Sequence, residues 1–148
     1  NDVAAPMEAA AVVKGNVAYI GWNIFEDYAV KGELVVKELA LKAIDLLLGE
    51  ERTVKVSLPD RGVVTVTAQA DRKIVHLLFA HTTVRGKGVE VIEDAVPVYN
   101  VCASVKLDAK PEKVTLVPEG TEIPFEWKDG RAEFTVPEVL LHRMVCVE

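Results

Sequence analysis

Three histidines, two cysteines and a few acidic clusters are the residues of this sequence that carry reactive chemistry. His76 and His81 stand five apart, an odd spacing that sends them to opposite faces of a continuous strand. His142 lies far along the chain with no Cys or carboxylate at a ligand interval, so the spacing predicts ordinary strand histidines and no metal site. Glycoside hydrolysis would need two carboxylates at a set separation across a sugar-binding cleft. Glu90, Glu93 and Asp94 form the densest acidic cluster outside the first third, and in a chain with 23 acids this reads as a solvated loop or edge strand. Glu26 and Asp27 make a better case, because Trp22, Phe25 and Tyr28 around them could make a platform for a sugar ring. The competing reading packs those rings under an adjacent helix. Trp127 and Tyr99 offer a second aromatic pair, although Trp127 beside a hairpin is more simply a packing residue. Trp22, Glu26, Tyr28 and Trp127 are thus the candidate substrate-binding residues.

Nucleophilic catalysis has little support. Ser57 and Ser104 lie in strand runs without a GxSxG elbow, and neither cysteine sits at a helix start where its pKa would fall. Arg85-Gly86-Lys87-Gly88 precedes no helix and lacks the P-loop pattern, so it reads as a turn. No catalytic residue and no cofactor is expected. Cys102 and Cys146 each fall inside an alternating apolar run, the place of a small buried hydrophobe, and free buried thiols are a simpler reading than a disulfide between strands so far apart. Low cysteine use leans toward a reducing, cytoplasmic compartment, with the periplasm or secretion left open.

The elements that must position these residues change character along the chain. Val17 to Ile20, after a polar turn at Lys14, Gly15 and Asn16, suits a buried strand; GWNIFEDYAVKG then forms an aromatic-rich connector. From Glu33 to Leu48 the apolar residues Val36, Leu39, Ala40, Ala43, Ile44 and Leu47 fall at helical spacing, and Gly49 stands where a C-cap needs no side chain. Strand, loop and helix cannot close a core alone, so residues 1–50 read as the last βα unit of an α/β domain. After Glu51 the period becomes two. TVKVSL, VVTVTAQ, KIVHLLFA, NVCASVKL, KVTLVP, IPFEW, RAEFTV and VLLHRMVCV are strand-like runs at the spacing of an antiparallel β-sandwich of immunoglobulin or fibronectin type over residues 51–148. Asp129-Gly130 marks a hairpin, Pro59-Asp60-Arg61-Gly62 a turn between the first two runs, and the prolines fall at run edges. The class expected is therefore mainly β, preceded by a small α/β remnant.

Composition narrows the function classes without choosing among them. The 148 residues are 50% hydrophobic with a mean hydropathy of +0.20, enough apolar material for a packed domain, so disorder is not expected. Seventeen basic residues against 23 acidic leave a net charge of −6, scattered without a basic stripe, which argues against nucleic acid. Of that charge −5 lies up to Glu51. No apolar run reaches the roughly 18–20 residues of a membrane span. The sequence starts at Asn1 with neither an initiator Met nor a signal-peptide pattern, and reads as a piece of something longer.

The segments GNVAYIGWNIFEDYAVKGELVVKELALKAIDLLLG, VHLLFAHTTVRG, IEDAVPVYNV and LVPEGTEIPFEWKDGRAEFTVPEVLLHRMVCVE resemble the C-terminal end of bacterial β-galactosidase-like glycoside hydrolases. These enzymes place a catalytic barrel first, then a flavodoxin-like, trimerisation-type domain, then a β-sandwich. The resemblance implies that residues 1–50 close the middle domain and residues 51–148 form the sandwich. It also implies that the catalytic carboxylates lie on a barrel absent from this chain, and a fucoside stays open as an alternative to a galactoside. The expected role is a non-catalytic accessory and assembly module in carbohydrate metabolism, partnered by the rest of the glycosidase. An exposed apolar face on the βα piece is open to a second copy. The alternative is a carbohydrate-binding module using surface aromatics.

Overall fold

A computed structural model describes residues 10–148 of the chain. It falls into two compact units that meet between Arg52 and Thr53. Strand makes up 49% and helix 19% of the described residues, so the fold is mainly β.

In the first unit, β1 (Ala11–Lys14) and β2 (Val17–Ile20) pair antiparallel, with Lys14 opposite Val17. The turn between them takes Gly15 through a φ of +57°, which glycine adopts without the Cβ penalty. The strand expected to be buried is half exposed: Val17 and Tyr19 keep 65% and 66% of their surface, because among the described residues β1 is its only strand neighbour. The connector expected after it is largely a helix, α1 (Ile24–Lys31), which ends at Gly32 in the left-handed conformation. Helix α2 (Leu34–Leu48) follows the expected span, and Gly49 closes it at positive φ with its N–H on the Asp45 carbonyl. A single 3₁₀ turn, Gly49–Glu51, leads out. Ile24 and Val36 are the fully buried apolar residues of this unit among those described.

The second unit is an antiparallel β-sandwich. One sheet has five strands in the order β10 (Thr121–Ile123), β9 (Val114–Val117), β13 (Leu141–Val147), β5 (Arg72–Phe79) and β4 (Val63–Gln69). The other has four, β11 (Phe125–Lys128), β12 (Arg131–Val139), β8 (Val98–Lys106) and β3 (Val54–Val56). A separate hairpin joins β6 (Thr83–Arg85) to β7 (Val89–Val91) through Gly86-Lys87-Gly88. Alternation sends Val75 and Leu77 of β5, Val145 and Val147 of β13, Val101, Ala103 and Val105 of β8, and Ala132, Phe134 and Val136 of β12 into one core. At one end Lys73 Nζ donates to the Lys106 carbonyl at 2.8 Å, tying β5 to β8.

Two turns and two prolines refine the sequence reading. Asp129 and Gly130, at φ +50° and +72°, close the β11–β12 hairpin with Lys128 opposite Arg131, as a primed two-residue turn requires. The Pro59–Gly62 turn makes no hairpin, because β3 and β4 belong to different sheets. Pro124 splits the single run IPFEW into β10 of one sheet and β11 of the other. Pro137 lies inside β12 rather than at its edge. The pairing steps from Val136–Val101 to Glu138–Tyr99, so the missing N–H falls at a position without a partner, and Asn100 across from it takes φ +55°.

Candidate functional site

The connector residues are placed by the start of α1. Asn23 occupies the N-cap and its side-chain amide donates to Glu26 Oε2 at 2.5 Å, while Asp27 in the same turn pairs with Lys31 at 2.6 Å. Hydrogen bonding to Asp27 holds the Lys31 ammonium above its ordinary range. Both carboxylates lie in the first turn, where the exposed N–H groups favour negative charge. Their local work is therefore in the helix itself. Trp22 and Tyr28 are 40% and 38% exposed, and no ring contact joins them or Phe25 among the described residues. The arrangement offers separate half-exposed rings, not a continuous platform.

Trp127 takes the opposite place from the one a sugar platform needs. It stands opposite Ala132 on β11 and packs half-buried against the sandwich core, so its ring is committed to packing. Tyr99, 60% exposed on β8, is left as the open aromatic of that sheet's outer face.

An open groove of about 830 Å³ lies on the outer face of the four-stranded sheet. Pairing register builds its floor. Lys55, Ser104, Glu133 and Glu126 lie in one row across β3, β8, β12 and β11, and Cys102 and Thr135 stand opposite each other in the next. Ser57 Oγ accepts the Cys102 N–H at 2.9 Å, and Ser104 Oγ accepts from Arg131 Nε at 2.7 Å. Arg131, only 5% exposed, also donates to the Ser104 carbonyl at 3.0 Å. The groove thus presents hydroxyls, an ammonium and two facing carboxylates to solvent. Glu126 and Glu133 are exposed side by side on neighbouring strands. Ser57 and Ser104 have no histidine beside them. Polar recognition is the chemistry this surface supports.

The remaining candidates resolve into structure. Glu90 accepts from Arg61 at 2.7 Å and Glu93 takes two bonds from Arg85 at 2.8 and 2.5 Å, so the acidic cluster is an ion-paired surface around the β6–β7 hairpin. The Arg61 hydrogen bond holds the Glu90 carboxyl below its ordinary value. The cysteines lie in different sheets and are free. Cys102 corrects the expectation of burial: Val101 and Ala103 turn inward, so it points out. Cys146 is buried, and burial pushes its thiol up, away from the reactive thiolate. Among the described residues no group of three or more His, Cys, Asp and Glu gathers to hold a metal. His76 and His142 do meet, with Nδ1 of one 3.2 Å from Nε2 of the other, a contact that spacing along the chain concealed.

With this geometry in place, comparison with known proteins adds one decisive likeness. The chain is 44% identical to the α-L-fucosidase isoenzyme 2 from Paenibacillus thiaminolyticus and superposes on it with a TM-score of 0.88. That neighbour is a bacterial glycoside hydrolase. The match covers 94% of this chain and only 22% of the fucosidase, so the chain spans less than a quarter of its neighbour's length. The likeness to a glycosidase stands, whereas the β-galactosidase label expected from the sequence is not the one this neighbour carries. No family model and no curated protein matches the chain. No helix among the described residues is long and apolar enough to cross a membrane.

Proposed function

We propose that this chain is a non-catalytic C-terminal accessory and assembly module of a larger glycoside hydrolase, with an α-L-fucoside as the first substrate class to try on the parent. The observation that carries the reading is the match of nearly the whole chain, at 44% identity, to a small part of a fucosidase. The first unit supports it. Around α2 the residues Leu34, Leu41, Ile44 and Leu48 form an exposed apolar stripe, Val35 and Leu46 a second, and Val36, Ala40 and Ala43 the buried or half-buried one. Glu38, Lys42 and Asp45 make a polar strip, and Lys37 interrupts the first apolar stripe. A helix apolar over most of its circumference belongs inside a larger fold, and the remainder of the glycosidase is the proposed cover, with the catalytic groups on that remainder.

Residues 1–50 as the end of an α/β, trimerisation-type domain and residues 51–148 as the closing sandwich are the corresponding domain proposal. A part for Trp22, Glu26 and Tyr28 in the parent's sugar site is subordinate to it, resting on their position past the end of β2 and on the partial exposure of Trp22. Trp22→Ala in the longer enzyme is expected to raise KM; unchanged turnover with stability retained removes that part.

The test of the main proposal is an assay of the chain alone against nitrophenyl α-L-fucoside and β-D-galactoside, with light scattering and melting curves with and without fucose or galactose. The expected result is no turnover, self-association through the uncovered apolar surface, and a melting temperature indifferent to sugar. Turnover by the chain alone overturns it. The second reading, a carbohydrate-binding module, is favoured by the polar groove on the four-stranded sheet; a monomer whose melting temperature rises with sugar would establish it instead.

A further inference from the structure

On the outer face of the five-stranded sheet, β5 and β13 pair with His76 opposite Met144 and His142 opposite Leu78. The two histidines are diagonal neighbours on one face, since Val75 beside His76 turns into the core and His142 stands two residues along β13 from Met144, the partner of His76. Their ring planes lie 3° from parallel, their centroids are 5.5 Å apart and the facing nitrogens 3.2 Å apart. The difference between those distances is the two ring radii together, so the imidazoles lie edge to edge with one nitrogen of each aimed at the other. His142 is exposed and His76 half-buried.

We propose that His76 and His142 form a two-imidazole chelate for a divalent first-row transition ion such as Zn²⁺ or Ni²⁺. With metal–nitrogen bonds of about 2.0–2.1 Å, two imidazoles in a tetrahedral shell stand roughly 3.3 Å apart, close to the separation that the strands already impose. Imidazole is a good donor for these ions, and holding both rings on paired strands removes most of the ordering cost of the second bond. One ring donates its N–H to the other, the roles being set by the tautomers. To bind the ion the donor ring carries its proton on the far nitrogen instead, and both rings tilt so that their lone pairs converge on a metal lying off the line between the two nitrogens. Solvent completes the shell on the exposed side. Met144 of β13 and Thr65 of β4 stand opposite His76 on either side, and the Met144 thioether is a soft ligand that Zn²⁺ does not need. The site is separate from the groove on the four-stranded sheet and independent of the glycosidase reading.

The experiment is calorimetric titration of the untagged full chain with Zn²⁺ and with Ni²⁺ near neutral pH in a non-coordinating buffer. Expected are one ion per chain, an affinity lowered about tenfold or more by His142→Gln, and no change for His81→Gln. Melting curves check that the His142→Gln chain is folded, as its exposure leads one to expect. Imidazole nitrogen resonances of the unsubstituted chain give a second readout, with His76 and His142 shifting together on Zn²⁺ addition. Absence of saturable binding overturns the proposal, as does equal loss from His142→Gln and His81→Gln, or shifts confined to one ring.

Discussion

Gly62 shows how one residue without a side chain can set a turn. A Cβ there would stand 2.7 Å from the Leu58 Cβ and 2.9 Å from the Pro59 carbonyl oxygen, neither of which can swing away. Gly62→Ala is expected to cost about 1–3 kcal/mol by overpacking, read as a lower denaturant midpoint. Gly86→Ala, with open space around it and only a φ of +55° to resist, is expected to cost about 1 kcal/mol. Charge at this scale works through the acid limb. The backbone N–H at Glu119 and then the Arg143 guanidinium hold the Glu119 carboxyl below its ordinary 4.5, as Arg61 does for Glu90. Carboxyls depressed by folding stabilise above their unfolded value and lose that contribution as pH falls through the lower folded value. The melting temperature should therefore decline as pH drops below 4.5, and Glu119→Gln should flatten that decline slightly, the pair being exposed.

Among the elements, α2 separates packing from exposure. Val36, 6% exposed, holds the first unit together, so Val36→Ala is expected to destabilise that unit by roughly 1–3 kcal/mol. Leu41→Lys with Ile44→Lys, at positions 47% and 43% exposed, should leave its helicity in place and abolish self-association by light scattering. Element identity was legible wherever period and turn chemistry agreed. The VVTVTAQ run is β4, the helical stripe is α2, and Asp129-Gly130 is the hairpin. Helix α1 escaped because its aromatic residues dominated the reading, although Asn23 with Glu26 three residues on and Gly32 at the far end are helix punctuation. The polar groove and the histidine contact were invisible for another reason. Both arise from register between strands distant in sequence, which no local period encodes.

For the molecule as a whole, the two units differ in what holds them. The sandwich has a continuous core from both sheets, whereas the described part of the first unit fully buries little beyond Ile24 and Val36. Hydrogen exchange is expected to show fast amides through α1 and α2 and slow ones through β5, β8, β12 and β13, with two unfolding transitions rather than one. Slow exchange throughout the first unit would contradict this account.

The place of β13 between β9 and β5 reaches beyond stability into the time order of folding. The β4–β5 hairpin is synthesised well before β13 and the β9–β10 hairpin shortly before it, and the two neighbour each other only through β13. The β4–β5 hairpin thus waits with an open edge for a strand from far downstream, and its pairing with β13 is a long-range search rather than local zippering. During that wait the β5 and β9 edges are where a nascent chain would engage a chaperone or a neighbouring copy, and slowing translation before β13 should lengthen the exposure.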